Sequence, residues 1–485
     1  MQLKVVSIFF ILAVLILFYS LRKEVRLYIL FIASIIYPFF LGRKAGIAII
    51  AVSLLVYIGG LLIGYFNTIA KKRISSVLVV VIITAIVGII VLSKYFKNML
   101  LFLNSRNYFV ISIPDNSFLY SICIPIGLSF YGFQAISYIL DIYNGEICAE
   151  KNLVLFHIYM AWFPKFICGP IERTDKFVLQ LRSINQTRLL NAKKIKKTLS
   201  YILIGCFYKM VVADRTAYFI SGVFSSPESY SRTILIIAAI LFSIQIYCDF
   251  AGYSMVAVGI SELFGISLTE NFNAPYFSYN ISEFWDRWHI SLTSWLKKYI
   301  YIPLGGNRKG ISRKYLNIII VFLISGIWHG AGIGFVIWGL LHGIYTVIDN
   351  LILHSDFRRI REGFIGRCIT FVSVTFAWIF FYTGSMRNAI HYIGALLIAP
   401  GKSGIFNLLT IIERNTIIDL VVLSVAILIM VVFDSIIYKK TLMKLIEDMS
   451  LLKWCLIMWI ILLLVAVFGI YGSDLSGNQL IYMQF

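Results

Sequence analysis

The chain has 485 residues, 60 % of them apolar and only 14 % charged. Soluble domains carry about 45–50 % apolar and about 25 % charged residues, so several water-soluble cores are excluded. Disorder, a collagen-like fibre, a coiled coil and a secreted disulfide scaffold fall with the same numbers. Lys and Arg number 43 against 23 Asp and Glu, a formal charge of +20. In so apolar a chain that excess belongs to basic loops against anionic lipid headgroups, not to nucleic acid.

The first apolar run, 5–21, is about long enough to cross a bilayer. Basic residues follow it, and no small-residue cleavage site does. It therefore reads as an uncleaved span with its N-terminus outside. Further runs cover 27–41, 46–66, 76–93, 117–140, 153–170, 198–220, 232–263, 315–327, 333–352, 365–384, 388–399, 417–438 and 453–471. Several are short or broken by Pro, Gly or charge, which points to re-entrant pieces buried inside the protein. The expectation is an all-α polytopic bundle in one domain, 1–485, with roughly 11–13 helices at membrane depth. Lysines before the last run weakly place the C-terminal tail outside. The seven cysteines form no C-x-x-C pair, so neither a zinc site nor a disulfide framework is expected.

The stretch 248–307 differs from the rest: it is polar, aromatic and charged, yet lies between apolar runs. A long patterned connection of this kind usually carries function. Within it Trp285, Trp288, Leu292, Trp295 and Tyr299 recur at alternating three- and four-residue steps. That spacing predicts one amphipathic helix over 282–301, capped by Asn280 or Ser282 and lying in the headgroup plane. Its tryptophans then read as interface anchors. His289 falls on the aromatic side of the stripe.

His329 stands in the middle of an apolar segment, framed by Gly326, Gly330, Gly332 and Gly334. An ionisable group at membrane depth usually lines a cavity or a path. Glycines allow close backbone approach or a broken helix, and histidine suits proton transfer near neutral pH. His342, thirteen residues on, reads as a packing residue, as do His157, His354 and His391. No H-x-x-H, H-E-x-x-H, G-x-S-x-G or Walker pattern occurs, so no metal site is expected. Two histidines without metal or serine nucleophile suggest general-base catalysis of acyl transfer to a hydroxyl.

At these residues the sequence resembles the membrane-bound O-acyltransferase family, in particular its bacterial alginate O-acetylation branch. The stretches that carry the likeness are SFYGFQAISYILDIYNG (129–145), FPKFICGPIE (163–172), DFAGYSMVAVG (249–259), ENFNAPY (270–276), EFWDRWHISLTSWLKKYIYIPLGGN (283–307), WHG (328–330), 338–345 and the aromatic tail 481–485. The likeness is strong over about 120–350, and the 283–307 block is its most specific part. It implies that His329 is the family's membrane histidine and His289 its second signature position. It also implies an acyl thioester donor, acetyl-CoA or an acyl carrier, reaching the site from the cytoplasm of a bacterial cell. The acceptor is then a cell-surface polysaccharide, and a separate extracytoplasmic transferase completes O-acetylation. No permanently bound cofactor is implied.

On that likeness His329 is the base or acyl relay, and His289 orients or protonates the donor side. Asp249 holds a histidine tautomer or lines the path. Asn273 and Asn307 donate to a thioester carbonyl, and Trp285, Trp288 and Trp328 line the path. Lys297, Lys298, Arg308 and Lys309 meet donor phosphates or lipid headgroups. The alternatives are D-alanyl transfer to teichoic acid from a carrier protein and a polysaccharide flippase. A flippase predicts inverted repeats and paired intramembrane charges, and the sequence displays neither.

Overall fold

The computed structural model describes residues 5–105, 126–187, 192–353, 363–398 and 417–471. The aromatic tail 481–485, His354, Cys123 and the start of the 117–140 run lie outside the described residues. Every element among those described is helical, and the one bridge between extended residues pairs Phe272 with Trp288. The backbone divides into two compact units, Leu3–Asn191 with Ile260–Thr269, and Ala192–Gly259 with Glu270–Phe485.

The first of these contains α1 (Val5–Ser20), α2 (Arg26–Leu41), α3 (Arg43–Thr68), α4 (Lys72–Ser105), α5 (Leu128–Tyr143), α6 (Leu153–Ala161) and α7 (Thr174–Arg182). Helix α3 packs on α2, α4, α5 and α6. Its Gly60 lies where a Cβ would come within 2.6 Å of the Tyr138 ring, so a bare backbone lets α5 approach. The run expected to continue through 153–170 stops at Ala161. Trp162 is non-helical, and Phe163–Lys165 form a single 3₁₀ turn before Pro170. This turn buries Lys165, whose Nζ donates to Gln134 Oε1 at 2.7 Å. Burial brings the Lys165 pKa down to about 7.

The other unit contains α8 (Ala192–Cys206), a π-helical segment (Phe207–Ala213), α9 (Asp214–Ser225), α10 (Arg232–Leu263, in this unit to Gly259), α11 (Ile281–Arg287), α12 (Ile290–Leu296), a second π-helical segment (Lys297–Tyr301), α13 (Ile311–His329) and α14 (Ile333–Leu353). Five helices follow: α15 (Phe364–Thr383), α16 (Met386–Ile398), α17 (Ile417–Lys439), α18 (Leu442–Asp448) and α19 (Leu451–Phe468). Its tightest pair is α13 against α14. A Cβ on Gly326 would sit 2.4 Å from the Phe335 carbonyl oxygen, and one on Gly332 would sit 1.8 Å from that of Gly384. The glycine frame read around His329 is therefore close backbone packing.

Nine of the described helical segments are long and apolar enough to cross a membrane. Val6–Ser20 is apolar but shorter. The outward faces of these helices are apolar as well. On α19, for example, Leu452, Leu456, Trp459 and Val467 are exposed, the arrangement a lipid environment requires.

The single helix expected over 282–301 is instead three pieces: α11, α12 and the π-helical Lys297–Tyr301. The break falls at Trp288 and His289, where His289 takes the left-handed conformation (φ 45°, ψ 53°). Asn280 caps α11 as expected, its Oδ1 accepting from the Glu283 N–H at 2.8 Å. The tryptophans of the stripe are not interface anchors. Trp285, Trp288 and Trp295 are 6 %, 1 % and 8 % exposed, packed inside the protein. Periodicity identifies the apolar stripe correctly, but tertiary contacts on every side override the helix through it.

Candidate functional site

His329 is the last residue of α13, with Gly330 extended beyond it. Its side chain is buried, and its ring meets those of Trp328 at 4.7 Å, Trp338 at 5.0 Å and Phe381 at 5.2 Å. Three aromatic walls from α13, α14 and α15 thus enclose a group able to exchange protons. The Trp328 ring is also 6.5 Å from that of His289, so one indole neighbours both histidines that the sequence singles out.

His289 is wholly buried. Its Nδ1 lies 3.3 Å from Asn271 Oδ1, which also accepts from the Ser291 hydroxyl at 2.7 Å and the Ser291 N–H at 3.1 Å. An oxygen that accepts from Ser291 fixes the amide orientation, so His289 carries its ring proton on Nδ1. The backbone agrees, since Ile290 N–H donates to the Asn271 carbonyl at 3.0 Å. Burial brings the His289 pKa down to about 3. The imidazole is then neutral at physiological pH. Its left-handed backbone is the kind of strain that persists only where surroundings over-determine it, and Asn271 and Ser291 are those surroundings.

Asn271 also lines a small pocket of about 20 Å³, together with Tyr201, Ser254, Met255, Glu270, Phe272, Ile437 and Leu442. Its Nδ2 and the Ser254 hydroxyl are buried there without a hydrogen-bond partner among the described residues. Tyr201 donates its hydroxyl to Glu270 on the same wall.

Asn271 thus holds His289. Asp249 accepts from Lys209 Nζ at 2.5 Å, and Lys209 reaches Asp214 at 2.7 Å. Burial opposes the charge on Lys209, but the two carboxylates outweigh it and raise its pKa. Lys209 lies in the π-helical segment 207–213. A π-bulge rotates side chains out of α-helical register and is frequent at functional sites. Gly205 faces Gly252 there, and a Cβ on Gly205 would meet the Gly252 carbonyl oxygen at 2.6 Å.

The remaining expected residues separate into two groups. Trp285, Trp288 and Trp328 join the buried ring cluster: Trp288 meets Trp378 at 5.1 Å, and Trp285 meets Trp338 at 5.8 Å. Asn273 anchors the break, its N–H donating to the Arg287 carbonyl at 3.0 Å. Asn307 does not join them. It is exposed in the turn after Tyr301, whose hydroxyl donates to it. Lys297, Arg308 and Lys309 are exposed, and the Lys298 ammonium lies 4.9 Å from the centre of the Tyr299 ring.

Asn271, Lys209, Trp338, Trp378 and His342 are additions from the structure. Asn271 lies within a matching stretch, two residues from the asparagine that the likeness singles out. Trp378 sits in an apolar run with nothing to mark it. His342 turns away from His329 only on one straight helix through 330–332, and the chain breaks there.

Residues 149–388 match the model of the membrane-bound O-acyltransferase family. The chain is 36 % identical over 303 residues to a probable alginate O-acetylase, AlgI, of Pseudomonas putida, covering 62 % of this chain and 61 % of that protein. It is 35 % identical over 306 residues to a peptidoglycan O-acetyltransferase of Helicobacter pylori, covering 58 % of each. A teichoic acid D-alanyltransferase of Streptococcus thermophilus is 31 % identical over 244 residues, covering 46 % of this chain and 56 % of that one. The chain spans about three-fifths of the length of the first two relatives. With nine helices among the described residues long and apolar enough to cross a membrane, it is a multi-pass membrane protein. Over residues 149–388, just under half of its length, the chain is similar to the membrane-bound O-acyltransferase family.

Proposed function

We propose that this chain is a membrane O-acyltransferase of the bacterial plasma membrane. It takes an acetyl group from a thioester donor, acetyl-CoA or an acyl carrier, on the cytoplasmic side and passes it across the membrane for O-acetylation of a cell-surface polysaccharide. A separate extracytoplasmic transferase completes the acetylation. The observation that carries the reading is the placement of His329: a buried imidazole, at a helix end, in an aromatic enclosure inside the family-matching segment.

The chemistry follows from that placement. An attacking hydroxyl gives its proton to His329 as its oxygen bonds to the thioester carbonyl carbon. Collapse of the tetrahedral intermediate expels the thiolate, which takes the proton back from the imidazolium. The aromatic walls exclude water and so suppress hydrolysis of the thioester. His289, neutral and fixed by Asn271, orients the donor.

The test uses inside-out membrane vesicles supplied with acetyl-CoA labelled in the acetyl group. Wild-type vesicles transfer label to ester linkage, and His329→Ala vesicles of equal protein content do not. Equal transfer by the two overturns the reading. Incorporation of D-alanine but no acetate would assign the alternative acyl group.

A further inference from the structure

Tetrahedral intermediates need donors aimed at the oxygen on which charge develops. Three rings in the cluster around His329 carry ring N–H groups. The Trp285 indole N–H donates to His342 Nδ1 at 3.2 Å. An indole nitrogen only donates, so His342 Nδ1 holds the lone pair and Nε2 carries the proton. That Nε2–H is buried with no acceptor within the described residues. The same holds for Nε1–H of Trp338 and Nε1–H of Trp378.

These three orphaned donors are on rings that touch one another. His342 meets Trp338 at 5.0 Å and Trp378 at 6.1 Å, and Trp338 stacks on Trp378 at 5.6 Å. All three side chains are 0 % exposed. Trp338 is at the same time the wall of His329, with ring centres 5.0 Å apart. A buried N–H without an acceptor is destabilising, and native interiors hold few of them. Three on contiguous rings, next to the buried histidine of the glycine-framed segment, mark a place built for an oxygen that the chain itself does not provide.

We infer that His342, Trp338 and Trp378 form the acyl-oxygen site of this enzyme: their ring N–H groups receive the carbonyl oxygen of the acyl thioester and the oxyanion that replaces it. Trp285 is a positioning residue, because its bond to Nδ1 holds His342 in the tautomer that donates. In the step already described, the new C–O bond forms as the carbonyl π pair moves onto oxygen. That oxygen is the atom the three donors hold until the C–S bond breaks. All three donors are neutral, so the site holds an uncharged carbonyl without the desolvation a cation would require. It favours the oxyanion over the carbonyl, which is the differential binding that raises turnover. The inference rests on the acyl-transfer reading and adds its electrophile-stabilising residues.

Trp338→Phe and Trp378→Phe each remove one N–H and keep a ring. The pair His342→Phe with Trp285→Phe removes an N–H and its orienting bond together. Removing an unsatisfied buried donor relieves its desolvation cost, which offsets part of the packing lost when Phe replaces Trp. The full-length chain in lipid nanodiscs is assayed for thiol release from acetyl-CoA, and for thermal unfolding. The expected result is kcat lower by about a hundredfold in each variant, with KM nearly unchanged and the protein folded at the assay temperature. In parallel, protein labelled with ¹⁵N-tryptophan is titrated with a CoA analogue bearing a ketone in place of the thioester. The indole resonances absent from Trp338→Phe and Trp378→Phe should be the ones that move downfield.

Unchanged kcat in the folded variants overturns the inference, as does a loss of kcat that only follows loss of folded protein. His329→Ala separates it from the reading beneath it. An inactive His329→Ala beside fully active ring variants removes this inference alone. A fully active His329→Ala removes the acyl-transfer reading and this inference with it.

Discussion

The Trp285 indole N–H donates to His342 Nδ1 across 3.2 Å, joining α11 to α14 by a buried hydrogen bond. Breaking it from one side should cost more than removing it whole. Trp285→Phe leaves a buried acceptor unpaired, and His342→Phe leaves a buried donor unpaired, each at about 1–3 kcal/mol. The double variant should regain most of that. Thermal unfolding of the four proteins in nanodiscs measures the cycle, and additive losses would show that the two groups act independently.

His289 titrates at about 3 because it is buried, against about 6.5 in an unfolded chain. Between those values the unfolded chain binds a proton that the folded chain does not. Stability is therefore full above about pH 6.5 and falls as pH drops towards 3. His289→Asn keeps a side chain that tolerates the left-handed backbone and removes the titration. Unfolding temperature followed from pH 7 to pH 4 should decline less steeply in that variant. Parallel declines would contradict the burial-driven shift.

Lys209 sits between Asp249 and Asp214, with side chains of all three largely buried. Removing one partner of a buried pair strands a charge. Lys209→Met strands both carboxylates and should lower stability by about 3–5 kcal/mol, whereas Asp249→Asn leaves Lys209 paired with Asp214 and should cost less. The double variant leaves only Asp214 to protonate, and should recover part of the loss. The yield of folded protein and its unfolding temperature report the outcome.

Gly332→Ala should abolish the approach of α14 to the turn at Gly384, since its Cβ would lie 1.8 Å from the Gly384 carbonyl oxygen. The wall of His329 is built on that approach, so acyl transfer should be lost with it. Gly394→Ala is the control. Nothing lies within 4 Å of its Cβ, and alanine is the better helix former by about 0.5–1 kcal/mol. That variant should be active and slightly more stable.

The membrane bundle is legible in the sequence because an uncharged apolar run of bilayer length is the signature of a spanning helix. The apolar runs give the boundaries of α10, α14 and α17 within about two residues. His329 is legible for a related reason: a lone histidine in an apolar, glycine-framed run is anomalous. The break at Trp288 and His289 is not legible. The aromatic spacing there is helical, and the turn is held by bonds to the 271–273 stretch, from His289 and Ser291 to Asn271 and from Asn273 to Arg287, which the spacing does not encode. Trp378 is one more aromatic residue in an apolar helix, and only its neighbours distinguish it. Asp249 is legible as an anomaly but not as a role, because its partner Lys209 lies forty residues away.

The most direct measurement is ester-bound acetate on isolated cell-surface polysaccharide. It is read by mass spectrometry from cells carrying wild-type protein or His329→Ala at equal membrane abundance. The acyl-transfer reading predicts acetate on the wild-type polymer and its loss in the variant, and the polymer that loses it is the acceptor. Acetate unchanged in His329→Ala cells would contradict that reading.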